Sequence, residues 1–523
     1  MNILERILRA IFGARKTSRS SSDSSRPELS RDRDSRPAER TPPVKFRSEG
    51  ADFAETRTKP AGKYATEEPT RPVVSPTGIN LAKRTPGARP NAVCDDAIIT
   101  DEFAYILDKA RLTRENLFVT GRAGTGKSTL LRLLKSKFRE PVLVAPTGVA
   151  ALNIGGSTIH SFFRFPLEFL DPEADNIRKD YRREDLFRKL DTLIIDEVSM
   201  VRADLLDGMD RFLRLNRDKD EPFGGVRVIM FGDPFQLPPV VKGKELEEHI
   251  KRIYAGPYFF NARSFDSGRF RRLELTRVFR QKDAEFLRLL NAVRENKISG
   301  VDLSRLNRRK SDRPPDGLEV ALCATNSKVQ EINNGMLARL SGDDFSYVAS
   351  FSGDFNPQEA PADSRLILKE GAQIMTLRND PDKRWVNGSL GIVEKLSDDA
   401  IFIRVDGEIY PVFRETWDII DYKYDREKRR ITPFVKARFT QYPLKLAWAM
   451  TIHKSQGQTF DKVRIDMGKG AFAHGQTYVA LSRCRTLEGI TLAKRIREPD
   501  IRVDPVVLKF AASVESVVAG KGE

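Results

Sequence analysis

Residues 116–239 alternate short apolar runs with amphipathic stretches. Buried strands are predicted at Asn116–Thr120, Pro141–Ala145, Asp191–Asp196 and Val226–Gly232. Helical patterns lie between them, as in the apolar positions Leu205, Leu206, Met209, Phe212 and Leu213. Strands that alternate with helices predict a doubly wound parallel sheet, which binds its ligands at the carboxyl ends of the strands.

The pattern changes further along the chain. A helical pattern runs through Phe286, Leu289, Leu290 and Val293, and later strands are predicted at Val320–Ala324, Val463–Asp466 and Ile490–Ala493. Residues 365–445 alternate as β-structure does, and Ile401–Tyr410 has Asp406-Gly407 at the turn of a predicted hairpin. We therefore predict further strands and helices with a region of β-structure between them.

Residues 1–92 show such a pattern only at their start. An apolar helical stripe flanked by arginines is formed by Ile3, Leu4, Ile7, Leu8, Ile11 and Phe12. Such a stripe is typical of a helix that docks a protein partner or lies on a membrane surface. It also resembles a targeting peptide, although a glutamate such as Glu5 is unusual in one. A frayed terminus that packs on nothing is the alternative. Residues 17–91 are rich in Ser, Arg, Pro and Asp and cannot bury enough surface to fold. We predict a disordered basic tail over 1–92 that begins with an amphipathic helix.

The net positive charge of the chain indicates a polyanionic partner. The chain has 523 residues, enough for about three domains, and carries 90 Lys+Arg against 74 Asp+Glu. Residues 1–92 hold 19 Lys+Arg and 11 Asp+Glu, so half of the net charge of +16 lies in the tail.

The three cysteines, Cys94, Cys323 and Cys484, are far apart in sequence, and no apolar run is long enough to span a membrane. We predict a cytoplasmic protein (nucleoid-associated if bacterial), with organellar targeting as the alternative.

The strongest chemical signal is a phosphate loop. Residues Gly121-Arg122-Ala123-Gly124-Thr125-Gly126-Lys127-Ser128, followed by Thr129, fit G-x-x-x-x-G-K-[ST] between a predicted strand and a predicted helix. In this setting glycines let backbone N–H groups close around phosphate oxygens. Lys127 is expected to reach the β- and γ-phosphates, and the Ser128 hydroxyl to bind Mg²⁺. A turn that binds nothing is the alternative, but the motif in this context favours a nucleoside triphosphatase.

Polar groups follow two more of the predicted strands. The third strand ends in Asp196-Glu197, where Asp196 is expected to hold Mg²⁺ and Glu197 to orient the attacking water. A solvated helix start is the alternative, because carboxylates favour helix N-termini. The position after a phosphate loop and a buried strand favours the catalytic interpretation. The fourth strand leads into Gly232–Pro239, which places Gln236 at the same edge as a further catalytic candidate.

Seven segments in this order resemble the motifs of a superfamily-one DNA helicase. They are GRAGTGKST, APTGVAALNIGGSTIHSF, LIIDEVSM, FGGVRVIMFGDPFQLPPV, LTRVFRQ, MTIHKSQGQTF and YVALSRCR. They are most similar to the RecD-like branch and, within it, to the Pif-type helicases, whose characteristic segment resembles DLLDGMDRFLR and the residues around it. Ile99–Phe103 stands where the family usually has an adenine-reading glutamine and contains none, so adenine selectivity stays open.

The resemblance covers about residues 100–510 and implies an α/β fold class. It implies two RecA-like parallel-sheet domains with a small β-barrel inserted in the second. The expected boundaries are 93–265 for the first domain, 266–364 and 446–523 for the two parts of the second, and 365–445 for the barrel. By analogy the barrel closes over single-stranded DNA.

The resemblance also implies roles for residues outside the phosphate loop. Arg280 and Arg483 match positions from which the second domain presents cations to the γ-phosphate, where they stabilise the transferring group. The expected DNA track is formed by Thr147, Gly148, Thr158 and His160 in the first domain and by Thr451, His453 and Lys454 in the second. For the two histidines, ordinary packing or capping is the alternative.

The implied function is that of an ATP- and Mg²⁺-dependent helicase. It would move 5′-to-3′ on single-stranded DNA and separate tailed or forked duplexes in replication, recombination or repair and in telomere or genome maintenance. The alternative is a DNA-stimulated ATPase subunit of a recombination or repair complex that remodels without unwinding. Lys127→Ala is expected to abolish turnover and leave the fold intact, because the lysine is predicted to face solvent.

Overall fold

The computed structural model describes residues 99–171, 177–241, 243–281, 283–313, 317–354 and 360–517. The chain divides into two units, Met1–Arg89 and Pro90–Glu523, and every described residue lies in the second. The predicted tail, its amphipathic helix and Cys94 therefore lie outside the described residues. None of the helices in the described ranges is long and apolar enough to cross a membrane.

Residues 99–275 alternate strands and helices. The strands are β1 (Leu117–Gly121), β2 (Val142–Ala145), β3 (Ser157–Thr158), β4 (Thr192–Ile195), β5 (Arg227–Phe231) and β6 (Arg271–Leu275). The helices are α1 (Asp101–Leu112), α2 (Lys127–Lys137), α3 (Gly148–Ile154), α4 (Ile159–Phe163), α5 (Glu184–Lys189), α6 (Ala203–Arg217), α7 (Lys244–Tyr254) and α8 (Arg263–Ser267). The four strands predicted in this region are confirmed, each to within about one residue at either end.

These strands form one parallel sheet in the order β21-β6-β1-β5-β4-β2-β3, in which β21 (Glu515–Ser516) comes from the far end of the chain. All residues of β1, β2, β4 and β5 are buried, because helices cover both faces of the sheet. Since the strands are parallel, the loops that follow β1, β2, β4 and β5 meet at one edge. That edge carries the phosphate loop.

Residues 284–517 contain the other elements. The helices are α9 (Ala284–Arg294), α10 (Gly300–Asn307), α11 (Asn326–Arg339), α12 (Gln476–Ser482) and α13 (Pro505–Ala511). The strands are β7 (Val320–Cys323), β8 (Phe345–Val348), β9 (Ser350–Gly353), β10 (Arg365–Leu368), β11 (Gln373–Thr376), β12 (Leu390–Leu396), β13 (Ile401–Val405), β14 (Glu408–Val412), β15 (Glu415–Asp425), β16 (Arg430–Gln441), β17 (Leu444–Leu446), β18 (Ala449–Thr451), β19 (Val463–Asp466) and β20 (Ile490–Leu492).

A second parallel sheet has the order β18-β7-β19-β20. It contains the three later strands that the sequence predicts, so the α/β fold class with two parallel sheets is confirmed. Between β7 and β18 the described residues form three antiparallel sheets, of five strands (β14-β13-β12-β11-β17), three strands (β15-β16-β9) and two strands (β10-β8). The predicted hairpin is present as β13–β14, and its turn residues Asp406 (φ 51°) and Gly407 (φ 90°) both have the positive φ that a tight hairpin requires.

The long hairpin β15–β16 packs against the first sheet and its helices. Tyr422 Oη accepts a hydrogen bond from Leu143 N (3.3 Å), and Glu140 Oε2 accepts one from Ile431 N (3.1 Å). The Tyr422 ring also lies edge-on to the fully buried Phe162, with centroids 5.8 Å apart. These contacts hold the inserted β-structure against the part of the chain that carries β2 and α4.

The C-terminal end returns to the first sheet. After α13, β21 pairs with β6, and the ring of Phe510 stacks on Phe260 at 4.1 Å between centroids. Arg271–Leu275 and Glu515–Ser516 therefore belong to the first sheet, although the predicted boundaries place both ranges in the second domain. The domain boundaries stay predictions.

Candidate nucleotide-binding site

The phosphate loop joins β1 to α2 in a conformation that requires glycine at two positions. Gly124 (φ 86°) and Gly126 (φ 82°) are left-handed. A Cβ on Gly124 would lie 2.5 Å from Arg280 Cβ, and one on Gly126 would lie 2.8 Å from Phe103 Cζ. Because α2 begins at Lys127, the N–H groups of its first turn face the loop. The geometry is that of an anion-binding turn.

Lys127 is half-buried with its ammonium group turned into the loop, so the prediction that it faces solvent is wrong. Its Nζ donates hydrogen bonds to the carbonyl oxygens of Gly121 (2.6 Å) and Arg122 (3.1 Å), because the loop curls back over the first turn of α2. Burial lowers the pKa of Lys127 below its usual value, an effect that nearby Asp233 and Glu197 oppose. The ammonium group is held inside the loop, where a phosphate would lie.

Asp196 and Glu197 follow β4 at the same edge. Burial and the charge of Glu197 raise the pKa of Asp196 to about 7. Burial also raises the pKa of Glu197, with Lys127 and Arg483 acting in the opposite direction. A divalent cation beside the pair would favour both charged forms, and the exposed Ser128 hydroxyl and the Asp196 carboxylate are oxygen ligands of the kind that Mg²⁺ prefers. These residues fit the predicted metal site.

The loop after β5 joins this edge to the second sheet. Asp233 is fully buried and accepts hydrogen bonds from Phe235 N (3.2 Å), Arg294 Nη2 (3.3 Å) and Tyr478 Oη (3.2 Å). Tyr478 Oη in turn accepts one from Ala123 N of the phosphate loop (3.0 Å). One hydroxyl on α12 thus bridges two loops of the first sheet. Asp233, Arg294 and Tyr478 were not predicted from the sequence, although Tyr478 lies inside the YVALSRCR segment.

Arg483 is fully buried at the end of α12. Burial, followed by the charge of Arg280, lowers its pKa to about 9, so it remains a cation at neutral pH. Its hydrogen bonds go to Val479 O (3.0 Å), Ser455 O (3.3 Å), Gln458 O (3.4 Å) and Ser482 Oγ (2.8 Å). Arg280 Nη1 donates to Ser482 O (3.4 Å), so the two arginines lie side by side.

The predicted catalytic groups converge although they are far apart in sequence. Glu197 shifts the pKa of Lys127, Arg280 and Arg483, and Arg280 shifts that of Lys127. Gln236 is buried at the same edge, where its side chain accepts a hydrogen bond from Gln456. The structure therefore gathers lysine, carboxylates and two arginines around the mouth of the phosphate loop.

Helix α1, where the expected glutamine is missing, positions the segment that carries Arg280. Glu102 is buried and accepts hydrogen bonds from Thr276 N (3.1 Å), from the Thr276 hydroxyl and from Arg277 N (3.4 Å). Phe103 packs beside Gly126, and its ring centroid is 6.4 Å from that of Phe279, which is 39% exposed. The sequence carries no signal for this role of Glu102.

The residues predicted for the DNA track lie at strand ends and cap short helices. The hydroxyls of Thr147, Thr158 and Thr451 accept hydrogen bonds from Ala150 N (3.3 Å), Ser161 N (3.2 Å) and Lys454 N (3.2 Å), and Gly148 begins α3. Burial lowers the pKa of His160 and His453 below its usual range, which favours the neutral form of both rings. Lys454 is exposed. Thr147 follows β2 and Thr451 ends β18. The residues predicted for the track in each half of the molecule therefore lie at the carboxyl edge of that half's sheet.

Known proteins resemble this chain over most of its described part. A family model described as PIF1-like helicase matches residues 99–302. The ATP-dependent DNA helicase PIF1 of Emericella nidulans is 32% identical over an alignment of 464 residues, which covers 76% of this chain and 60% of the relative. The ATP-dependent DNA helicase Pif1 of Bdellovibrio bacteriovorus is 33% identical over an alignment of 429 residues, which covers 80% of this chain and 93% of the relative. The chain thus spans less than two thirds of the first of these relatives and nearly all of the second.

Solved structures of Pif1 from Bacteroides share 40% of their sequence with this chain and cover 80% of it and 97% of their own length. The unliganded structure and the complex with ADP-AlF4 both have a TM-score of 0.74. The structure bound to ssDNA has a TM-score of 0.59. The arrangement of the described residues is therefore more similar to the forms without DNA.

Proposed function

This chain belongs to the PIF1-like helicase family, and on that premise we propose that it is an ATP-dependent DNA helicase that moves along single-stranded DNA. The observation that carries the proposal is the convergence of Lys127 and Glu197 from the first sheet with Arg280 and Arg483. A nucleotide held between such groups links the two halves of the molecule. Changes in the nucleotide then change the spacing of the two sheets.

Each of these side chains has a proposed role in the hydrolysis of ATP. The loop N–H groups and Lys127 bind the β- and γ-phosphates, and Ser128 and Asp196 would hold Mg²⁺, which neutralises phosphate charge when bound. Glu197 orients the attacking water, and Gln236 lies at the same edge. The two arginines stabilise the charge that develops on the transferring phosphoryl group.

The cations must exchange partners for this chemistry. Lys127 now donates to two loop carbonyls, and Arg483 to three carbonyls and one hydroxyl. Phosphate oxygens carry full charge and are stronger acceptors than neutral carbonyls, so a bound triphosphate draws both groups toward itself. Nucleotide binding is expected to release the turn at Ser455–Gln458 from Arg483.

The nucleotide base is expected to lie against Phe279. The ring is partly exposed beside Gly126, and the guanidinium of Arg277 lies 5.3 Å from its centroid. An aromatic ring stacks on any base, because every base has a π face. Phe279 therefore supports nucleotide binding without selecting adenine.

Single-stranded DNA is proposed to run along the carboxyl edges of both sheets. Thr147, Gly148, Thr158 and His160 would contact it from the first sheet, and Thr451, His453 and Lys454 from the second. Hydroxyls, backbone N–H groups and a lysine suit phosphate contacts that are independent of sequence. A structure of Bacteroides Pif1 bound to ssDNA, and one of two Pif1 helicases at forked dsDNA, support single strands and forks as partners.

The finer parts of the proposal come from the family branch. They are movement in the 5′-to-3′ direction and a role in replication, recombination or repair and in telomere or genome maintenance. Docking of a protein partner by the amphipathic N-terminus and a cytoplasmic location stay predictions from the sequence.

Strand displacement tests the proposal. Duplexes with a 5′ tail, a 3′ tail or no tail are incubated with ATP, and ATPase is measured with and without single-stranded DNA. We expect displacement of the 5′-tailed substrate alone, and none by Lys127→Ala. Stimulated ATPase without displacement on any substrate would instead favour the remodelling subunit. ATPase that DNA does not stimulate would refute both functions.

A further inference from the structure

One side-chain hydrogen bond joins the loop after β5 to the turn after β18. Gln456 Nε2 donates to Gln236 Oε1 over 3.3 Å, although the residues are 220 positions apart. Gln456 Oε1 is buried and has no partner among the residues that the structure describes. The contact with Gln236 is therefore what orients this amide within the described part of the chain.

The turn that carries Gln456 also holds Arg483. The carbonyls of Ser455 and Gln458, on either side of Gln456, both accept hydrogen bonds from Arg483 Nη1. The turn starts with His453 and Lys454, the residues proposed to contact DNA. Residues 453–458 thus combine the DNA track with contacts to two groups of the nucleotide site.

The turn is held together by its own hydrogen bonds. Gln456 N donates to His453 O (3.2 Å), Gln458 N to Ser455 O (3.0 Å) and Ser455 Oγ to Ile452 O (2.7 Å). These bonds tie Gln456 directly to His453 and Gln458 directly to Ser455. A displacement at His453 or Lys454 therefore carries Gln456 with it.

The partner loop is closely packed on the side that faces Gly475. Gly475 has φ +69°, and a Cβ there would lie 2.3 Å from Phe235 O and 2.6 Å from Gln236 O. His474 Nε2 lies 3.0 Å from Pro234 O, which adds a second contact to the loop. Motion that reaches Gln236 acts on a loop that bonds to Tyr478 and through it to the phosphate loop.

We propose that Gln456 is a positioning residue that couples the DNA track to the nucleotide site through its hydrogen bond to Gln236. The inference rests on the proposed function, in which His453 and Lys454 contact DNA and Gln236 faces the nucleotide. DNA binding shifts the turn, Gln456 then places the Gln236 side chain, and the same shift changes the carbonyl contacts of Arg483. The free energy for coupling comes from DNA contacts that differ between the two positions of the turn.

Replacement of Gln456 by methionine tests this directly. Methionine keeps the length and flexibility of the side chain and removes both hydrogen-bonding groups. ATPase is measured at saturating ATP with and without saturating oligo(dT), and affinity is measured by anisotropy of a labelled oligo(dT). We expect the DNA-stimulated rate of Gln456→Met to fall about fivefold, the effect of one lost neutral hydrogen bond, while the Kd for oligo(dT) stays within about twofold of wild type.

Four further variants separate coupling from a structural role. Gln330→Met makes the same change on the exposed face of α11 and is expected to behave as wild type. Gln236→Met and the double variant with Gln456→Met are expected to have equal stimulated rates, because the second change acts through the first. Gln456→Glu is expected to keep more stimulation than Gln456→Met, since the Gln236 amide can donate to a carboxylate.

The outcomes distinguish the inference from the function on which it rests. Wild-type ATPase that oligo(dT) does not stimulate would refute the proposed function itself. If the wild type is stimulated, the coupling role is refuted by full stimulation of Gln456→Met, by additive losses in the double variant or by equal losses in the methionine and glutamate variants. If Gln456→Met has a lowered Tm, its loss of stimulation could reflect instability. The comparison with Gln456→Glu and the double variant then test the coupling role.

Discussion

Replacement of Arg483 tests whether the two sheets share one nucleotide site, and the structure decides which replacement is informative. Arg483→Ala removes the hydrogen bonds that a fully buried guanidinium donates to the carbonyls of Val479, Ser455 and Gln458. A hydrogen bond made by a charged group contributes about 1.5–3 kcal/mol. The sum is a large fraction of a typical stability of about 5–15 kcal/mol, so reduced activity in that variant would mix unfolding with chemistry.

Arg483→Lys avoids this difficulty. Lysine keeps the positive charge and three N–H donors but lacks the planar fork that can bind two oxygens at once. We expect the variant to fold and to bind ATP almost as well as wild type, because the phosphate loop and Lys127 supply most contacts. An arginine that stabilises the transferring phosphoryl group is worth on the order of 10³ in rate, so kcat should fall by about that factor.

The assay combines thermal melting, titration with a fluorescent nucleotide, and turnover at saturating ATP with and without single-stranded DNA. Arg485→Lys is the matched control, because Arg485 lies two residues further on, is 59% exposed and pairs with Asp461 at 2.9 Å. It is expected to keep full activity. DNA-stimulated turnover at the wild-type level in folded Arg483→Lys would refute the shared site, and so would an equal loss in the control.

Three other predictions follow from charges and hydrogen bonds. Lys127→Ala should abolish ATPase and weaken nucleotide binding in a titration, and turnover near wild type would remove the phosphate loop from the mechanism. Deletion of residues 1–92 should weaken DNA binding and flatten its salt dependence, by about 0.7 in log–log slope for each phosphate that the tail neutralises, while ATPase at saturating DNA persists. Burial lowers the pKa of His474, whose Nδ1 accepts from Asp504 N (3.0 Å). The stability that neutral His474 contributes should be complete above pH 6.5 and be lost as the pH falls through the lowered pKa. A plot of Tm against pH between 7 and 5 should therefore be flatter for His474→Gln than for wild type. Equal slopes for the two proteins would contradict this assignment.

The strands and their order along the chain could be predicted because local signals agreed with the fold. Thr192–Ile195 and Arg227–Phe231 are short, buried strands in a parallel sheet, so each is a run of apolar or β-favouring residues, apart from Arg227 at the start of the second. The Asp406-Gly407 turn is visible because few residue pairs adopt positive φ at both positions. The phosphate loop is visible for the same reason, since its glycines are needed wherever the chain turns this tightly.

Other features depend on residues that meet only in the folded chain. The hydroxyl of Tyr478 between Ala123 and Asp233, and the amide pair Gln236–Gln456, each join segments more than two hundred positions apart. The prediction for Lys127 was wrong for a related reason. A motif specifies which residue reaches a phosphate, but the direction of the side chain depends on the carbonyls that surround it.

The sequence by itself determined the two parallel sheets, the phosphate loop, the acidic pair after β4 and the family, because each rests on a local pattern of apolar residues, glycines or short motifs. Only the tertiary structure decided that Glu515–Ser516 joins the first sheet, that Glu102 holds the segment before Arg280, and that Gln456 meets Gln236. Such contacts arise from packing between distant segments. Any polar residue could supply them, so they leave no periodicity or spacing in the chain.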